Sequence, residues 1–93
     1  MRLSKKEKKT ILEIIRQSDP DAHIRLFGSR TDDKSRGGDI DLLIISKKLK
    51  YRDKLIVRYR LKEKLGDRKI DLIITPKPDT SFEKHAMNTS LKL

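Results

Sequence analysis

Ninety-three residues, no cysteine, 41% charged side chains and a formal net charge of +10 imply one small, very basic domain, residues 1–93, with no room for a second. The missing cysteines exclude a disulfide framework, a thiolate zinc site and a cysteine nucleophile. Leu, Ile, Val and Phe number 26 of 93, above the roughly 20% below which strongly charged chains fail to fold, so an ordered domain is expected.

The first element is announced by Ser4-Lys5-Lys6-Glu7, the spacing of a capping box. Ile11, Leu12, Ile14 and Ile15 follow at helical spacing, and Asp19-Pro20 ends the run, because the residue before proline is pushed out of the helical region. A helix from about Lys5 to Gln17 is expected. Ile24 to Phe27 is short, apolar and β-prone and breaks at Gly28-Ser29, which reads as a strand entering a turn. Residues 30–38 are polar and end in paired glycines, so they read as loop or a single short helical turn.

Ile40 to Ile45 is a second strand, too apolar to face water on both sides. Lys48 to Leu65 suits a helix closed by Gly66 as a left-handed cap. Tyr51, Leu55 and Tyr59 recur every fourth residue with Leu61 and Leu65 alongside, an apolar arc interrupted by Arg58 and Lys62, whose long stems can snorkel. Ile70 to Ile74 is a third strand, stopped by Thr75-Pro76-Lys77-Pro78. Phe82, Ala86, Met87 and Leu91 mark a final helix capped by Thr80 or Ser81. The order is α-β-turn-β-α-β-α, an α+β domain with a small mixed three-stranded sheet. DIDLLIIS (39–46) and KIDLIITP (69–76) echo each other, which suggests neighbouring strands in similar environments, each carrying an aspartate among apolar residues.

No apolar run approaches the ~20 residues that span a bilayer, and MRLSKKEKKT lacks the apolar stretch of a signal peptide. A soluble, cytoplasmic protein is expected, with no membrane partner. Residues 50–68 carry eight basic and three acidic side chains, half of the whole excess. Such a stripe binds nucleic acid or an acidic partner, or is simply a solvated helix face, the plainer reading. With two tyrosines and two phenylalanines a base-stacking platform is improbable, so nucleic acid is a disfavoured partner.

Chemistry concentrates at Asp39 and Asp41. In a strand, residues i and i+2 point to one face, ~6.6 Å apart along the backbone. Two such carboxylates can converge on divalent cations ~3.5–4 Å apart in a two-metal phosphoryl-transfer site. The plainer alternative is that Asp39 caps its strand while Asp41 and Asp71 pair with lysines. Gly28 at a strand end permits close approach of a phosphate, with the Ser29 hydroxyl and following amides as donors. Arg30 adds a bidentate donor. Neither a Walker A lysine nor a GxGxxG run is present. His23 and His85 have no partners at metal-ligand spacing and read as ordinary.

Taken together, LFGS, nine residues, DIDLLI and a later KIDLIIT resemble the minimal nucleotidyltransferase family of the DNA polymerase β superfamily, over roughly residues 5–90. The resemblance implies the nucleotidyltransferase fold, a small mixed sheet flanked by helices. It implies that Gly28 and Ser29, with Arg30, hold a nucleotide triphosphate; that Asp39 and Asp41 ligate Mg²⁺, two ions in all; and that Asp71 completes the metal site and helps deprotonate the attacking hydroxyl. Asp32-Asp33 departs from the small or basic residues of many relatives. Family members of this size are typically paired with a HEPN-domain toxin, so the resemblance further implies an antitoxin that transfers AMP from ATP to a tyrosine of that partner in a hetero-oligomer. The competing readings are a catalytically silent antitoxin that neutralises by binding, and a nucleotidyltransferase acting on RNA. A short link makes strands one and two antiparallel, and a helical crossover allows strands two and three to be parallel.

Overall fold

A computed structural model of the chain describes residues 3–27, 40–66 and 69–93. Helix α1 (Lys5–Ser18) begins as its sequence requires: the Glu7 N–H donates to Ser4 Oγ at 3.1 Å, and the Ser4 N–H donates to Glu7 Oε1 at 2.9 Å. Ile11, Ile14 and Ile15 form its buried stripe. The helix stops at Asp19, whose backbone is extended and whose N–H closes on the Ile15 carbonyl at 3.0 Å.

Strands β1 (His23–Phe27), β2 (Ile40–Ile45), β3 (Ile70–Thr75) and the short β4 (Leu91–Lys92) form one sheet in the order β3-β2-β1-β4. β1 and β2 run antiparallel, and β2 and β3 run parallel across a crossover through helix α2 (Tyr51–Leu65). The echo between 39–46 and 69–76 becomes a register, because Ile40 to Ile45 pair one for one with Ile70 to Thr75. Ile24, Leu26, Ile40, Leu42, Ile44, Ile70 and Leu72 join the α1 stripe and residues of α2 in one core. Helix α3 (Ser81–Thr89) packs against β1 and β2. It carries Phe82 onto Phe27, which alternates away from that core. Its cap is the one expected: the Glu83 N–H donates to Thr80 Oγ1 at 3.1 Å.

Four expectations are corrected. Among the described residues the sheet has four strands, not three. α3 ends at Thr89, Ser90 turns extended, and Leu91–Lys92 form β4, paired antiparallel with Leu26 and Arg25 of β1. Arg25 fixes this exit by donating from Nε to Ser90 Oγ at 2.6 Å and from its Nη2 to the Ser90 carbonyl at 3.2 Å. Leu91 is therefore a strand residue and not the last helical one. Second, α2 begins at Tyr51, because Ser46 Oγ takes the N–H groups of Lys48 and Leu49, leaving Lys50 extended with its own N–H on Asp53 Oδ2 at 2.8 Å.

The third correction concerns the α2 arc. The residues α2 buries in the core are Val57 and Leu61, with Leu65 partly covered, while Tyr51, Leu55 and Tyr59 are exposed. A 3.6-residue period places 57, 61 and 65 on one flank and 51, 55 and 59 on another. The spacing found a real stripe and the wrong face. Fourth, Gly66 ends the helix with φ +89° and ψ −167°, outside the left-handed helical region and in territory that essentially only glycine occupies.

Candidate active site

Strand alternation builds the site. Ile40, Leu42 and Ile44 face the core, so Asp41, Leu43 and Ile45 face the other way. The same argument turns Asp71 on β3 and Phe27 on β1 to that opposite face. The registers Phe27↔Asp41 and Asp41↔Asp71 then line the three up as one row across the sheet. Adjacent strands lie ~4.8 Å apart, so the two carboxyl groups stem from neighbouring backbones and project side by side. The Asp71 side chain is 49% exposed, and Lys69 Nζ stands 4.0 Å from its Oδ2. An ion pair this open contributes little to stability, and it leaves the carboxylate within reach of a ligand. Asp41 is half-buried.

Phe27 closes the row on the β1 side. Its ring meets Phe82 edge-on, with centroids 6.2 Å apart and planes at 84°. Phe82 is itself exposed, so an aromatic ring at the start of α3 borders the carboxylate row. Sequence reading assigned Phe82 to a helix stripe and missed this placement; only the long-range pairing of β1 with β2 reveals it.

Of the residues singled out from the sequence, Asp41 and Asp71 are brought together. Gly28, Ser29, Arg30 and Asp39, along with the acidic pair Asp32-Asp33, lie outside the described residues. The donor set suits a hard divalent cation, since Mg²⁺ is held by one or two carboxylates and completes its shell with water and substrate phosphate. Among the described residues no group of three or more His, Cys, Asp or Glu side chains gathers, so the sheet offers a pair of carboxylates and no closed cage. His23 and His85 are both exposed, on β1 and α3.

At the other end of the strands lies a polar joint that the sequence did not announce. Asp19, read as a helix stop, is buried and accepts the Ser46 hydroxyl on Oδ2 and the Asp21 N–H on Oδ1 at 3.0 Å. Ser46 N–H in turn donates to the Thr75 carbonyl at 2.9 Å. The hydrogen bond from Ser46 is the main reason the Asp19 carboxyl sits below its ordinary pKa; burial opposes it, and the Asp21 amide and the Lys48 charge assist. A cleft of about 370 Å³ opens here, lined by Asp19, Asp21, His23, Ser46, Lys48 and Pro76 among others. It lies a strand length from the aspartate row, and its buried carboxylate, Asp19, is satisfied by structural donors.

Comparison with known proteins agrees with the fold. The family model described as "Nucleotidyltransferase domain" matches residues 8–92. No curated protein matches the sequence. Among solved structures, a chain from a crystal structure of a mutant toxin-antitoxin MntA-HpeT is similar at TM-score 0.73 and 22% identity, over 92% of this chain and 69% of that one. At that identity the likeness establishes a shared fold. Among the described residues no helix is long and apolar enough to cross a membrane. With the family model running over residues 8–92, including the strand pairing that sets Asp41 beside Asp71, the chain belongs to the nucleotidyltransferase domain family.

Proposed function

We propose that the chain is a Mg²⁺-dependent nucleotidyltransferase of the minimal type, a single catalytic domain that acts as an antitoxin by transferring AMP from ATP to a tyrosine hydroxyl of a HEPN-domain toxin. The observation that carries this reading is the in-register pair Asp41 and Asp71 on the same face of parallel strands. A strand aspartate has low β-propensity and its burial is costly, so two in one row are best explained by a shared task.

The roles divide by position. Asp39 and Asp41 on β2 and its approach, with Asp71 on β3, would hold the cation, which when bound supplies charge neutralisation at the reacting phosphate and the leaving pyrophosphate. Gly28, Ser29 and Arg30 would bind the triphosphate through backbone amides, hydroxyl and guanidinium. Asp71 takes the proton from the acceptor hydroxyl as its oxygen bonds to the α-phosphorus. The bond from that phosphorus to the bridging oxygen breaks and pyrophosphate departs. The acceptor hydroxyl comes from the partner protein. The toxin-antitoxin character of the structural relative supports this choice of partner.

The test is transfer of label from α-³²P-ATP to a HEPN-domain toxin. Label on the toxin that depends on Mg²⁺ and disappears in Asp41→Asn and Asp71→Asn supports the proposal. Toxin neutralised equally by wild type and both variants, with no label, would establish a binding antitoxin instead. Label appearing on RNA and not on protein would move the acceptor to nucleic acid.

A further inference from the structure

Helix α2 is apolar on two faces, and only one of them is used by this fold. Val57 and Leu61 are fully buried. On the other side Tyr51 is 72% exposed and Tyr59 66%, with Leu55 and Ile56 also open. Four of the six large hydrophobic residues exposed among the described part of the chain lie on this one helix. Tyr51, Leu55 and Tyr59 follow one another at i, i+4 and i+8, a continuous ridge ~12 Å long. With Ile56 beside it, the ridge presents on the order of 500 Å² of side-chain surface, within the range of the largest patch on a typical monomer, which is often functional.

The rim of the ridge is positive. α2 carries six basic residues and two acidic ones, and one of the acids, Asp53, is engaged with the Lys50 N–H at the helix start. Arg52 and Lys62 are exposed beside the tyrosines. We infer that this face of α2 is the docking surface for the acceptor protein, whose complementary patch has an apolar centre ringed by Asp and Glu. The inference rests on the proposed partner-modifying function and names the surface that would bring the acceptor in.

Charge decides the occupant. A second copy of this chain would set a +4 helix against another +4 helix in a +10 protein, and like charges at an interface are strongly unfavourable. Nucleic acid would use the basic rim, but two of the four apolar side chains are aliphatic and offer no ring for a base. A stable protein interface hides ~800 Å² per partner. The apolar ridge plus its basic rim supplies an area of that order. Tyr is enriched at the energetic centre of such interfaces, and Arg and Lys around it accelerate encounter with an acidic partner.

The experiment measures binding of a HEPN-domain toxin by calorimetry to the full chain, to Tyr59→Ala and Leu55→Ala, and to the charge reversal Arg52→Glu/Lys62→Glu. Tyr59→Ala is expected to weaken binding about 30-fold, the threshold of an interfacial hot spot. The charge reversal is expected to slow association and to remove most of its salt dependence. ATP binding and the thermal melt of each variant should match the wild type, because these side chains touch neither the aspartate row nor the core. Affinity unchanged within about twofold in both tyrosine-face variants overturns the inference while leaving the transferase reading intact. Tight, α2-dependent binding without label transfer supports the docking surface and overturns the transferase reading. A wild type that ignores the HEPN protein, or variants that lose only a steeply salt-dependent affinity for RNA, overturns the docking surface.

Discussion

Replacing Ser46 with alanine strips three hydrogen bonds from a single buried oxygen. That hydroxyl donates to Asp19 Oδ2 and accepts from the Lys48 and Leu49 amides at 3.1 and 3.0 Å, and both Ser46 and Asp19 are buried. A hydrogen bond to a charged group contributes about 1.5–3 kcal/mol, and removing one partner leaves the other short in the interior. With the two amides partly recovered by water, the expected loss is about 2–4 kcal/mol. For a domain of this size total stability is roughly 5–14 kcal/mol, so the melting temperature should fall by about 8–30 °C. Urea titration monitored by circular dichroism at several pH values is the assay. The folded Asp19 carboxyl is held below its ordinary value of 3.8, chiefly by Ser46. A depressed folded pKa gives stability that is present above the unfolded pKa and lost as pH falls through the folded one. The gap between wild type and variant should therefore be widest near neutrality and narrow below the ordinary carboxyl value. A loss under about 0.5 kcal/mol at neutral pH, no more than that of an ordinary surface change, refutes the reasoning. So does a larger loss that stays constant into acid.

Three further substitutions test helix α2 and its exit. Gly66→Ala should destabilise by about 1–3 kcal/mol through backbone strain alone, since φ is +89° and a Cβ would meet no atom within 4 Å; an unchanged urea midpoint would show that the chain relaxes there freely. Leu61→Ala should cost about 2–5 kcal/mol as a core cavity, whereas Leu55→Ala should stay within about 0.5 kcal/mol. The reverse ranking would mean that the helix packs by its tyrosine face after all.

Most of the architecture can be read before any coordinates. Local chemistry suffices where it acts within a few residues. Ser4 and Glu7 cap each other, Asp19-Pro20 ends α1, and Ile40 to Ile45 has the bounds of a buried strand. The parallel pairing of β2 with β3 was legible because two similar octapeptides flank a helical crossover. What escaped is decided by tertiary partners. β4 exists because Arg25 holds Ser90 and an open edge of β1 accepts two more residues. The inward face of α2 is chosen by how the helix meets the sheet, and periodicity alone offers two stripes without ranking them. The Asp19–Ser46 joint links residues 27 positions apart that share no repeated motif to announce their pairing. Of the candidate site, the sheet row could be anticipated from the echoing aspartates, whereas the aromatic border at Phe82 could not.

The aspartates also act on the fold that displays them. Strand pairing has a side-chain period of two, and a slip by one residue would exchange the two faces of β2 or β3. Such a slip would drive Asp41 or Asp71 into the position now held by Ile40, Leu42, Ile70 or Leu72, all buried. An uncompensated carboxylate there costs several kcal/mol, a large share of what a domain of this length has to spare. Isoleucine or leucine at 41 and 71 would make both faces apolar and weaken that discrimination. The alternation that places aliphatic side chains against α1 and α2 therefore sets the carboxylates in a single row on the opposite face. The residues proposed to bind the cation and handle the acceptor proton are thus among those that hold β2 and β3 in register. Site and register are selected by the same two side chains.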